Sequence, residues 1–158
     1  MDDSHVRPAR RDDWQRKPLP EQHVVLSVDR VYTPEEMRLI RRGLIPEEME
    51  DKWFIFCEDD VLYCHRSWTG VCIYQAEFER EAGHYRVSRL LVNRDPDQYK
   101  QTDDGYDARQ FVFLVDLLLL GRSSQPPEYE DDLDEGHRAL RLWSIFGRGL
   151  FRGDDRKG

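Results

Sequence analysis

The sequence predicts an α+β domain: a four-stranded antiparallel meander covered on one face by two or three helices. Three observations predict it. Four runs of strand length, 53–57, 61–68, 71–79 and 85–93, follow one another in the middle of the chain. The links between them, Glu58-Asp59-Asp60, Thr69-Gly70 and 80–84, are far too short for a parallel crossover, so successive runs must pair antiparallel. A capped helical stretch precedes these runs and an apolar helical stretch follows them.

Taken in order, residues 1–20 carry three prolines, mixed charges and one large aromatic, Trp14. So little apolar surface predicts a flexible arm. The domain itself is expected over 21–147. Its first element, 23–32, is rich in β-branched residues, and this strand around Val25 is available to extend the meander. Thr33-Pro34-Glu35-Glu36 is a capping box with proline at the first helical position. Met37, Ile40 and Leu44 form the helix's apolar edge, and Gly43 and Pro46 end or bend it, with a further short turn from Pro46 to Asp51.

In the third central run, Cys72, Tyr74, Ala76 and Phe78 alternate with Val71, Ile73, Gln75 and Glu77, so one face is apolar throughout. A polar loop, 93–104, leads to a helix over 105–120 that stops at Gly121. Arg109 and Asp116, seven residues apart, fall on one stripe of that helix, which predicts a solvent-facing or ion-paired stripe. An acidic loop over 123–135, an amphipathic helix over 133–146 with Leu140, Trp143 and Phe146 inward, and a flexible tail over 148–158 complete the chain.

Composition removes several classes of function. A net charge of −8 argues against non-specific nucleic-acid binding, which rewards a surplus of cations. The longest apolar run, 111–120, is about half a membrane span and contains Asp116. Cys57, Cys64 and Cys72 are odd in number, and no leader-like segment opens the chain, so a reducing, cytoplasmic setting is expected. Their six- and seven-residue spacings contain no C-x-x-C knuckle, so neither a metal site nor a cofactor is expected.

The candidate site is a rim at one end of the sheet. In a meander the second and fourth strands run the same way, so the segments around Trp68 and Asn93 finish together, and Trp53 starts beside them. His65, Arg66, Trp68, Thr69, Asn93 and Arg94, with Asp95, could gather there. Guanidinium, amide and indole groups suit a phosphate-bearing or nucleotide-like ligand. The bland alternative is that Trp53 and Trp68 plug the core while Arg66 and Arg94 pair with acids. His65 and Ser67 share a strand face but point in parallel, a poor geometry for proton transfer, and no nucleophile elbow surrounds the serine.

Asp51-Lys52-Trp53-Phe54-Ile55 and Leu62-Tyr63-Cys64-His65-Arg66-Ser67-Trp68-Thr69-Gly70 together resemble a group of short bacterial proteins. The likeness continues through Val92-Asn93-Arg94-Asp95 and 117–122, about half the chain. Members of that group stand beside, or are fused to, ADP-ribosylglycohydrolases. The resemblance implies a role near ADP-ribose chemistry but no catalytic residue, and this chain has no aspartate-rich motif of such a glycohydrolase.

Two functions stay open. One is a binding or accessory module whose rim recognises a small anionic ligand or a partner protein. The other is a small enzyme acting on a nucleotide or ADP-ribose-like substrate, with Arg66 and Arg94 on phosphate and His65 as acid or base. The first is preferred because no residue set supplies a nucleophile, base or metal.

Overall fold

Two tight turns set the sheet. Asp59 and Asp60, at φ 53° and 61°, join β3 (Trp53–Glu58) to β4 (Val61–Arg66), and Ala82 and Gly83, at φ 52° and 81°, join β5 (Cys72–Glu81) to β6 (His84–Asn93). Paired positive φ values give the turn the twist that antiparallel strands need. The second hairpin is therefore tighter than the sequence suggested, because an alanine occupies the position where Asn or Asp would advertise such a turn.

A computed structural model of the chain describes residues 7–122. The stretches 123–135, 133–146 and 148–158 lie outside the described residues. The architecture is α+β, with a six-stranded antiparallel sheet in the order β1-β6-β5-β4-β3. The expected 23–32 strand is present as two short pieces, β1 (His23–Leu26) and β2 (Val31–Tyr32), both paired with β6. Between them Val28 turns into the core, which takes the chain off the ladder.

Helix α1 (Pro34–Arg42) starts as its capping box dictates. The Glu36 amide donates to Thr33 Oγ1 at 3.1 Å, and the Thr33 amide donates to Glu36 Oε1 at 2.8 Å. It ends at Gly43, where φ is 64° and the next residue, Leu44, bridges to Ile55. A Cβ on Gly43 would stand 2.2 Å from the Ile55 carbonyl oxygen, so only glycine fits. Helix α2 (Asp104–Leu114) is capped by Asp103 and continues as a π-helical segment, Val115–Leu119.

Both helices pack on one face of the sheet, where Tyr32, Met37, Ile40, Ile55, Tyr74 and Phe111 are sealed from solvent. Full burial of such side chains stabilises the fold by about 1.5–3 kcal/mol each. The opposite face carries a smaller cluster, Phe54 and Phe56 with Ala9, Ile45 and Tyr63. The segment expected to be a flexible arm thus contributes Ala9 to that cluster from residue 7 onward.

Two sequence readings need correction. The β4–β5 register slips opposite Cys64 and His65, so Val71 and Ile73, rather than Cys72, join Tyr74 in the main core. The Arg109–Asp116 stripe holds only in part: Asp116 is ion-paired, but with Arg30 at 3.0 Å and buried, whereas Arg109 is exposed. Arg109 stands on the regular helix, whereas Asp116 lies just inside the π-helical segment and is met by Arg30 from the chain between β1 and β2, so the two occupy different environments.

The two glycines test the packing argument. Gly83→Ala, with left-handed φ but nothing within 4 Å, should cost about 1 kcal/mol in denaturant unfolding. Gly43→Ala adds a clash with backbone and should cost about 3 kcal/mol or more.

Candidate functional site

The end of the sheet is assembled as hairpin connectivity requires. Trp53 pairs with Arg66, His65 with Cys72, and Asn93 with His23, so the start of β3 and the ends of β4 and β6 meet there. The pleat then divides the rim between two faces. Arg66 lies over the Trp53 ring, 5.0 Å from its centroid, on the helix-covered side. Burial lowers the pKa of its guanidinium. His65 lies on the other side against Phe54 and Phe56.

The remaining rim residues divide again. Asn93 is sealed from solvent, and its amide nitrogen donates to the Cys72 carbonyl at 2.8 Å and Gln98 Oε1 at 2.9 Å. Its Oδ1 accepts from the Asp95 amide at 2.8 Å, so the side chain folds the loop after β6. Arg94 is held by Asp104 and Asp107, each at 2.8 Å, and donates to the Asn93 and Gln101 carbonyls. A guanidinium with two carboxylates already on it has little charge left for a phosphate.

Only Trp68 and Thr69 face solvent. They sit on the turn between β4 and β5, which closes through the Gly70 amide donating to the Arg66 carbonyl at 2.8 Å, with Gly70 at φ 79°. The Ser67 amide donates to Lys52 and its hydroxyl donates to Asp51, at 2.9 and 2.6 Å, which fastens this turn to the strap of chain before β3. Thr69 Oγ1 accepts from the Val71 amide. Trp68 is 59% exposed, yet its indole N–H donates to the Met49 carbonyl at 2.9 Å and the Lys52 ammonium stands 3.7 Å from the ring centroid.

Two further indole and thioether groups join it, neither found by the sequence reading. The Trp14 indole N–H donates to the Ser67 carbonyl at 2.7 Å, leaving the ring 38% exposed, and Met49 is 77% exposed. Of the five large apolar side chains exposed among the described residues, these three are linked through the turn: Trp14 bonds to the Ser67 carbonyl and Trp68 to the Met49 carbonyl. The signal available was slight: Trp14 is the lone large aromatic of the arm.

A polar hub also went unread. Asp107 Oδ1 accepts from the hydroxyls of Tyr74 and Tyr99, at 2.7 and 2.6 Å, and its Oδ2 faces Arg94 as an ion pair whose angle misses a hydrogen bond. Gln110 donates to the Tyr74 hydroxyl at 2.6 Å. Burial pushes the Asp107 carboxyl above its ordinary range, against the pull of both hydroxyls and Arg94. This hub ties α2 and the loop before it to the middle of the sheet.

The chemistry on offer is limited. Burial raises the thiols of Cys57 to about 11 and Cys72 to about 12, and raises Cys64 as well, so none is a ready thiolate. His65 is lowered by burial, opposed by its bond to the Gly70 carbonyl and reinforced by Arg16. Among the described residues no group of three or more His, Cys, Asp or Glu could hold a metal ion, and no helix is long and apolar enough to cross a membrane.

If Asp107 anchors α2, Asp107→Asn should lower unfolding stability by about 3 kcal/mol, since it leaves Arg94 half-paired in a buried setting. Asp104→Asn, at the exposed partner of the same guanidinium, should cost under about 1 kcal/mol in the same measurement. No family model, no curated protein and no solved structure matches this chain.

Proposed function

We propose that this protein is a binding module that recognises a partner protein through the corner formed by Trp14, Met49 and Trp68. The observation that carries the reading is the state of the two indoles. Each N–H is already bonded to a backbone carbonyl of the chain itself, while a large part of each ring is open to solvent. Such rings are fixed before any partner arrives, so burying them costs little side-chain entropy, and they offer apolar surface without an unpaired donor. Met49 adds a flexible thioether that adapts to an opposing surface.

The surroundings suit the same purpose. Arg16, Lys17 and Lys52 lie near the turn, and Met49 stands between Glu48 and Glu50. An apolar centre within a rim charged both ways is the usual anatomy of a protein interface.

The reading with a phosphate-bearing or ADP-ribose-like ligand draws less support. Its two arginines are on the helix-covered side or held by carboxylates, and His65, its acid or base, faces the other way. Thermal shift against ATP, NAD, ADP-ribose and cyclic dinucleotides would raise the melting temperature under that reading.

Affinity capture followed by calorimetry on the captured protein tests the proposal. Trp68→Ala should weaken that complex by about 30-fold, the scale of a central aromatic anchor, while the loss of its bond to Met49 lowers the melting temperature by only a few degrees. Val25→Ala, an exposed apolar side chain on β1, should leave it intact. A complex indifferent to both Trp68→Ala and Trp14→Ala overturns the reading.

A further inference from the structure

The segment 7–17, which delivers Trp14 to the corner, is tied down almost wholly by hydrogen bonds. The Ala9 amide donates to the Arg42 carbonyl at 2.9 Å and the Lys17 amide to the Gly70 carbonyl at 2.7 Å. Trp14 and Gln15 donate to the Ser67 carbonyl, Gln15 also to that of Trp68, and Arg11 Nε donates to Glu58 at 2.8 Å. The one buried side chain it contributes is Ala9. Polar attachments of this kind open locally at far less cost than a sheet does.

His65 lies beneath the same attachment. It is 3% exposed, and its Nδ1 is 3.0 Å from the Gly70 carbonyl oxygen, the atom that also receives the Lys17 amide. That contact assigns the proton to Nδ1 and leaves Nε2 as a bare acceptor. Nε2 is buried and has no hydrogen-bond partner among the described residues. Gly70 itself meets the segment closely: a Cβ there would stand 3.2 Å from the Arg16 backbone.

Protonation cannot be accommodated in this arrangement. It would place a second N–H where no acceptor waits, in a site away from water, and a positive charge near Arg16. We propose that the 7–17 segment is a releasable strap and that protonation of His65 releases it, withdrawing Trp14 from the corner. The inference rests on reading that corner as the binding site.

The direction follows from linkage. With the strap docked, burial favours the neutral ring; with the strap released, the ring moves back towards the ordinary imidazole value of about 6.5. The open form therefore takes up the proton, and docking strength, fully present above about 6.5, falls as pH drops below it. The neighbours do not titrate in this range. Cys72 on β5 is held at about 12, Tyr63 on β4 is raised by burial, and Phe54 and Phe56 on β3 have no proton to exchange.

Hydrogen exchange of the Ala9 and Lys17 amides in the free protein tests this without any partner, so its failure leaves the corner reading untouched. After correction for intrinsic exchange chemistry, opening of the strap should rise about tenfold between pH 7.5 and pH 5.5, with β5 and β6 unchanged. His65→Gln, which keeps a donor for Gly70 but does not titrate, should abolish that rise. An equal rise in His65→Gln, or none in the wild type, overturns the proposal. Should the variant not fold, the wild-type imidazole resonances decide: protonation of His65 must coincide with loss of strap protection, and protonation with the Lys17 amide still protected overturns it.

Discussion

The turn between β4 and β5 leaves the carbonyls of Ser67, Trp68 and Gly70 outside the strand ladder, and the rest of the site depends on how they are satisfied. A backbone acceptor withdrawn from water without a donor costs stability, so a donor must be found. The chain supplies its own: the indole of Trp14, the amide of Gln15, the backbone of Lys17 and the ring of His65. One local need thereby draws the N-terminal segment across the back of the sheet. It also fixes the Trp14 indole and selects the histidine tautomer.

The same end of the sheet shows how little nearness along a rim says about shared chemistry. Connectivity brings His65, Arg66, Asn93 and Arg94 to one margin, but the pleat sends His65 to the face with Phe54 and Phe56 and Arg66 to the face with Trp53. Asn93 and Arg94 are spent on folding the loop that carries the chain into α2. The polar groups have therefore become architecture, and the surface left for recognition is mainly aromatic and thioether. Electrostatics agrees with this division: each charge near the hub is already answered, whereas the charges around Trp68 stand at the rim.

The meander was legible because turn spacing alone forbids parallel pairing, and the Thr33 box because its four residues act locally. Ala82 hid a tight hairpin, since nothing in alanine signals a positive φ. Asp116 misled because its partner, Arg30, comes from a distant part of the chain that periodicity along the helix does not reveal. Asp107 is one of two acids in the first turn of α2, and its position carries no signal of a buried role. Only the fold shows that Tyr74, Tyr99 and Arg94, from 33, 8 and 13 positions away, converge on it. Trp14 was invisible for a related reason: an arm poor in apolar residues can still dock when its partners are carbonyls rather than a core.

Everything proposed for the corner presumes that both indoles are held still while exposed. Nitrogen-15 relaxation of the Trp14 and Trp68 indole N–H groups measures that directly. The account predicts order parameters close to those of the sheet backbone, about 0.85, for both rings. Values below about 0.6 would mean that the rings wander in solution, and the pre-formed binding corner would be contradicted.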